Sequence, residues 1–204
     1  MPATALDRTL YHEHVLVRVV SLALLGVALH MVAWSVGYLV LPAASLKGVF
    51  LSSRAPVVGG SAGGTLVRIL LVNLVLGVGL TASANLFRVG RFPLGYVPAL
   101  FHWVAFGLFN GTGSFSVSSA PRPPSLWGLL SSRGCWEIFA YSVVAAATVS
   151  LFVYRQRSWL NWRTRKERSL SDVTVSRTEW IAIGLSLLLL VAANWTEARS
   201  LMSG

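Results

Sequence analysis

One cysteine, Cys135, is the only thiol in these 204 residues, so the chain forms no internal disulfide and has no thiolate pair for redox chemistry or a thiol-rich metal site. Acidic residues are scarce too, seven against seventeen lysines and arginines. The four histidines have no acidic neighbour three or four residues away within the apolar stretches, so no metal site is expected. No Gly-x-Ser-x-Gly elbow or His-Glu-x-x-His pair occurs, and Ser114 in Gly113-Ser114-Phe115 has no paired histidine. The run Gly59-Gly60-Ser61-Ala62-Gly63-Gly64 lacks the Gly-Lys-Ser/Thr ending of a phosphate-binding loop. These absences point away from an enzyme and from any resident cofactor.

Apolar residues are abundant. Hydrophobic side chains make up 54% of the chain and charged ones 12%, with a mean hydropathy of +0.65, more than a soluble core of this length accommodates. A hydrocarbon core takes about 20 helical residues to cross. Five stretches qualify, near residues 19–40, 69–87, 94–109, 136–154 and 178–196, the third being short. The expected fold is all-α, a polytopic transmembrane bundle of about five spans forming a single membrane domain over residues 1–204. In the third loop Ser125 is placed to cap a short interfacial or re-entrant helix at Leu126-Trp127-Gly128-Leu129-Leu130. The first apolar run is far longer than a signal-peptide core and is read as retained.

A net charge of +10 would suggest nucleic acid in a soluble protein. Here most of it lies in loops beside apolar runs, where basic residues are retained on the cytoplasmic side. The densest group is in the 155–177 loop: Arg155, Arg157, Arg163, Arg165, Lys166, Arg168 and Arg177. Placing this loop inside also puts Arg8, Arg18, Arg88 and Arg91 inside, and leaves Lys47, Arg54, Arg68, Arg122, Arg133 and Arg199 outside. The N-terminus is then cytoplasmic and the C-terminus external, in a multi-pass plasma-membrane protein. Arginines alternate with Trp159, Leu160 and Trp162 between Tyr154 and Arg168. This pattern is expected to form a short amphipathic helix on an anionic leaflet, with Arg155, Arg157, Trp159, Trp162, Arg163, Arg165, Lys166 and Arg168 contacting lipid headgroups.

Polar groups at membrane depth need a reason. His30 and His102 are read as interhelical hydrogen-bonding groups, and Asn73, Gly77, Gly79, Ser83 and Asn85 as a close-packing face. Glu137 opens the fourth span, where the helix dipole favours an anion. Glu197 stands just beyond the fifth, where the dipole disfavours one and a cation such as Arg199, Arg133 or Arg68 is expected nearby. The topology gathers Arg68, Asn110, Arg133, Glu137, Asn194 and Glu197 at the external ends of the spans. This set is either a salt-bridge layer or a site for a substrate or partner.

Three places resemble the stage II sporulation protein M family of integral membrane proteins. Gly134-Cys135-Trp136-Glu137 is similar to its His-Gly-x-x-Glu element, with Arg133 where that family has histidine. Ala192-Ala193-Asn194-Trp195-Thr196-Glu197-Ala198 is similar to its Ala-Ala-x-x-Glu ending, and Asn73 and Asn110-Gly111 complete the likeness over residues 68–198. The resemblance implies a non-enzymatic membrane subunit that scaffolds or assembles a larger complex. Its expected partners are membrane lipids and other membrane subunits or further copies of itself, with no nucleic acid. The alternative it leaves open is a transporter or export component with a polar site on the external side.

Overall fold

The computed structural model describes residues 5–49, 62–115 and 120–202. Helix α1 (Ala5–Leu10) leads into α2 (Val15–Leu39). Helix α3 (Ala62–Val72) continues through a π-helical stretch (Asn73–Gly79) into α4 (Leu80–Ala84). Strands β1 (Phe87–Val89) and β2 (Phe92–Pro93) precede α5 (Tyr96–Thr112), α6 (Leu126–Leu130) and α7 (Arg133–Ala147). Strands β3 (Tyr154–Ser158) and β4 (Asn161–Lys166) then lead to α8 (Arg177–Met202).

Three helical stretches, Val15–Leu39, Gly63–Ala84 and Arg177–Arg199, are long and apolar enough to cross a membrane. The other two long helices are shorter than the expected spans. Helix α5 has 17 residues and α7 has 15, about 26 and 23 Å at the α-helical rise. The expected fourth span, 136–154, is cut at Ala147, since Thr148 leaves helical geometry at φ −98° and ψ 8° and a 3-10 turn, Val149–Leu151, takes over. The second span begins earlier than expected: Arg68 and the described glycines Gly63 and Gly64 are already helical, while Gly59 to Ser61 lie outside the described residues.

Helix α7 is the centre of the packing. Every residue from Tyr141 to Val149 is buried, and the run Val143-Val144-Ala145-Ala146-Ala147 is small enough to admit α2, α5 and α8 against it. Helices α2 and α5 run in the same direction: Gly26 abuts Trp103, and Gly37 abuts Leu108 and Gly111. His30 makes its expected interhelical bond, Nδ1 to Trp103 O at 3.0 Å. The outward faces are apolar, with Leu16, Leu24 and Val32 on α2, Leu71 and Val75 on the α3 rod, and Leu185 and Leu188 on α8 all exposed. A surface of this kind suits hydrocarbon rather than water.

The fold is not purely α. The four strands form one sheet in the order β2-β1-β3-β4. Strand β1 pairs antiparallel with β2 and parallel with β3, and β3 pairs antiparallel with β4. The expected amphipathic helix between Tyr154 and Arg168 is therefore corrected to a β-hairpin. Alternating basic and aromatic residues serve a strand's period of two as well as a helix face, and β1 offers a free edge that a helix could not use. Helix α6 is present where expected, with the Ser125 hydroxyl accepting from Gly128 N at 3.1 Å.

The sheet covers one end of the bundle, where α2, α5 and α8 begin and α4 and α7 finish. Asn85 locks this end. It is wholly buried, its Nδ2 donates to Ala145 O and Thr148 Oγ1 at 2.8 and 2.7 Å, and its Oδ1 accepts from Gly95 N at 2.9 Å. Asn85→Ala strands these buried groups, each costing about 1–3 kcal/mol when unsatisfied. We expect a loss of roughly 3 kcal/mol, read as a lower thermal midpoint of the detergent-solubilised chain. An unchanged midpoint would count against the network.

Candidate functional site

Between the α3–α4 rod and α5 a cleft of about 960 Å3 runs from Leu80 and Pro98 to the opposite end of the bundle, at Arg133 and Glu197, with α7 as its floor. Val72, Leu76 and Leu80 form one wall, and Phe101, Ala105, Phe106 and Phe109 the other. Polar groups enter from the floor and the upper rim: Arg133, Glu137 and Tyr141 from α7, Asn73 from the π-helical stretch, His102 from α5 and Glu197 from α8.

The π-helical stretch positions its wall. A Cβ on Gly77 would lie 2.1 Å from the Tyr141 ring, so only glycine lets this segment lie on α7. Such widened turns commonly accompany functional positions. Asn73, at the start of the stretch, donates from Nδ2 to Asn194 Oδ1 on α8 at 2.9 Å. Asn194 is wholly buried, and its own Nδ2 has no hydrogen-bond partner among the described residues.

Glu137 and Glu197 meet directly. Their carboxyl groups are neighbours, and the Asn73 amide lies beside Glu137. Glu137 Oε1 is buried with no hydrogen-bond partner among the described residues. Glu137 can therefore accept from a further donor at the floor of an apolar cleft.

This arrangement revises three expectations. Glu137 lies a full turn inside α7, whose N-cap is Ser132 accepting from Cys135 N, so its environment is Glu197 and Asn73 rather than the helix end. Helix α8 runs on to Met202, so Glu197 is within the helix, and Arg199 stacks 4.9 Å over Trp195. His102 does not bond between helices. Its Nδ1 contacts Pro98 O at 2.6 Å in its own helix, while the ring rests 5.0 Å from Tyr141.

Of the six residues expected together, Arg133, Glu137 and Glu197 line the cleft and Asn194 supports it through Asn73. Arg68 is exposed on α3 and outside the lining. Asn110 lies in the α2–α5 seam, Nδ2 3.5 Å from His30 Nε2. Tyr141 and His102 complete the site without having been singled out for it. The sequence signal for Tyr141 is its spacing, four residues after Glu137 and so on the same helix face.

The basic residues of the 155–168 segment fall into a packed group and an exposed one. Arg168 donates to Phe152 O and Ser150 O and stacks 4.1 Å over the Phe152 ring. Arg88 stacks on the same ring at 3.8 Å and donates to Val149 O at 2.8 Å. Arg155 is half-buried and pairs with Glu167 at 3.1 Å. Arg88 and Arg168 thus bond the carbonyls of the 3-10 turn and the residue that follow α7, close to its C-terminal end, where cations are favoured. Arg157, Trp159, Arg163, Arg165 and Lys166 are exposed, and the Trp162 side chain is outside the described residues. No protein-family model matches the chain, and no curated protein or solved structure matches it either.

Proposed function

We infer that the chain is a non-enzymatic polytopic membrane subunit, of the kind the stage II sporulation protein M resemblance implies, which assembles a larger membrane complex by seating a partner's membrane segment in the α3–α5–α7 cleft. The observation that carries this reading is the cleft itself: apolar aromatic walls over a floor with an unsatisfied carboxyl oxygen. Apolar walls suit a membrane segment, and the open acceptor supplies a polar fix for its register.

In this reading α5 and α7 cross with the three longer helices, giving five crossings. The N-terminus is cytoplasmic and the C-terminus external. Supporting this orientation, the basic segments around β1, β3 and β4 pair in one sheet, and Arg91 lies 5.6 Å over the Tyr11 ring of the N-terminal segment. Segments assigned to the same side by their charge are thus in contact.

Ala105 lines the cleft and is only partly buried, so tryptophan there fills the space without entering the core. Ala105→Trp is expected to cut recovery of the partner that co-purifies in mild detergent about tenfold, the effect of roughly 1.4 kcal/mol of binding. Recovery of a bare monomer from native membranes with the unaltered chain would defeat the reading.

The carboxyl pair favours a second reading, a transport component that moves a proton or a substrate past Glu137. Glu137→Gln separates the two. Flux lost with the complex intact selects transport; a complex lost on substitution selects assembly.

A further inference from the structure

Strands β1, β3 and β4 place three arginines in one row. Arg88 is the register partner of Arg155, and Arg155 is the partner of Arg165. Register partners share a face of the sheet, and like charges directly opposed repel. The Arg88 and Arg155 side chains are the ones stacked around Phe152, just past the end of α7.

Arg163 follows on β4 at the irregularity that the β3–β4 pairing shows between Gln156 and Ser158. Both Arg163 and Arg165 are exposed and lie on the edge strand of the sheet. The edge of the sheet is thus basic. Glu167 pairs with Arg155. The crowding is felt at Arg88, pushed down to about 10, first by burial and then by Arg155 and Arg168.

The tip of the hairpin is apolar. Leu160 is 94% exposed and Trp159 is 59% exposed, yet the Trp159 ring lies 5.8 Å from Phe92, which lies 5.9 Å from Tyr96, the first residue of α5. The tip therefore sits at the level where the α5 helix begins. Val97 and Phe101, in the first turns of α5, are exposed as well.

We propose that the β3–β4 hairpin is a seat for anionic phospholipid headgroups, with lipid phosphates against the exposed Arg163 and Arg165 and with Trp159 and Leu160 entering the interface beside α5. The seat rests on the reading that the bundle crosses a bilayer. The geometry favours lipid over a soluble partner because the apolar tip sits at the end of the apolar bundle surface, where α5 begins. Guanidinium groups form bidentate bonds with phosphate, and indole suits the headgroup zone.

The test uses the full chain with Cys135→Ala and a nitroxide label on Leu160→Cys, in nanodiscs of phosphatidylcholine with increasing phosphatidylglycerol. The label is expected to become accessible to oxygen and shielded from a water-soluble nickel complex as phosphatidylglycerol is added. Arg165→Gln should raise the phosphatidylglycerol content needed about fivefold, the contribution of one basic group near an anionic surface. A control label on Leu188→Cys, 68% exposed on α8, reports the bundle. A lipid-buried Leu188 label with a Leu160 label that stays aqueous at every composition overturns the seat and leaves the bundle reading standing. An immersed Leu160 label indifferent to Arg165→Gln also overturns it, and an aqueous Leu188 label overturns both.

Discussion

Replacing Arg18 with alanine is expected to cost about 3–5 kcal/mol, the penalty for stranding a buried charge. Arg18 is only 6% exposed and uses every guanidinium nitrogen. Its Nε donates to Ala146 O at 2.9 Å, its Nη1 to His12 O and Glu13 O at 3.0 and 3.1 Å, and its Nη2 to Glu179 Oε1 at 2.7 Å. One side chain thus ties the start of α2 to the end of α7 and the start of α8. The other Glu179 oxygen accepts from Ser176 N and Oγ at 2.9 and 3.0 Å, so its carboxylate cannot turn out to solvent without breaking the entry to α8.

The measurement is the thermal midpoint of the full chain in detergent for Arg18→Ala, Glu179→Gln and the double variant. Glu179→Gln should cost less than Arg18→Ala, since an amide can still accept from Arg18. The double variant should be more stable than Arg18→Ala alone, because no uncompensated anion remains. Simple additivity of the two losses would show that the pair is not coupled.

Gly111→Val is expected to be the most damaging substitution of small for large, at about 3 kcal/mol, the upper end for an overpacked core. A Cβ at Gly111 would lie 2.4 Å from Trp34 O and 2.6 Å from Tyr38 N, and one at Gly107 would lie 2.5 Å from His30 O. These neighbours are backbone atoms of α2, which cannot rotate away, so the two helices must separate over a full turn. Gly107 and Gly111 are four residues apart and form a small-xxx-small seam. Gly184 supplies the contrast, since a Cβ there meets nothing within 4 Å. Gly184→Ala should be neutral or stabilising by up to about 1 kcal/mol. Thermal midpoints of the two variants in the same detergent check the pair, and equal effects would show that close approach of α2 and α5 does not limit stability.

Much of the candidate site was legible because charge is so rare in this chain. With seven acidic residues in total, two at corresponding ends of apolar runs draw attention, and Glu137, Glu197 and Asn194 do converge. Asn110 and Arg68 share that end of the bundle but not the cleft. Membrane depth follows from hydropathy, whereas the direction a residue takes around its helix follows from which neighbour the helix packs on. The π-helical stretch was not legible either. It depends on Gly77 meeting Tyr141, a contact between helices far apart in sequence.

The hairpin shows the same limit from the other side. Tyr154 to Lys166 alternates in a way that serves a strand or an amphipathic helix, and pairing of Arg155 with Arg88 on β1 decides between them. That partner lies 67 residues earlier in the chain.

The amino-acid sequence by itself determined that the helices are long and apolar, that basic residues cluster at one set of helix ends, and that Glu137 and Glu197 fall near the other. These are properties of composition and spacing, set residue by residue along the chain. Tertiary packing decided that α7 lies at the centre, that the basic loops close into a sheet, and that α3 and α5 part over a carboxyl pair. Each of those outcomes depends on which surfaces meet, and close packing, hydrogen bonds and paired charges are satisfied only between segments that the sequence keeps apart.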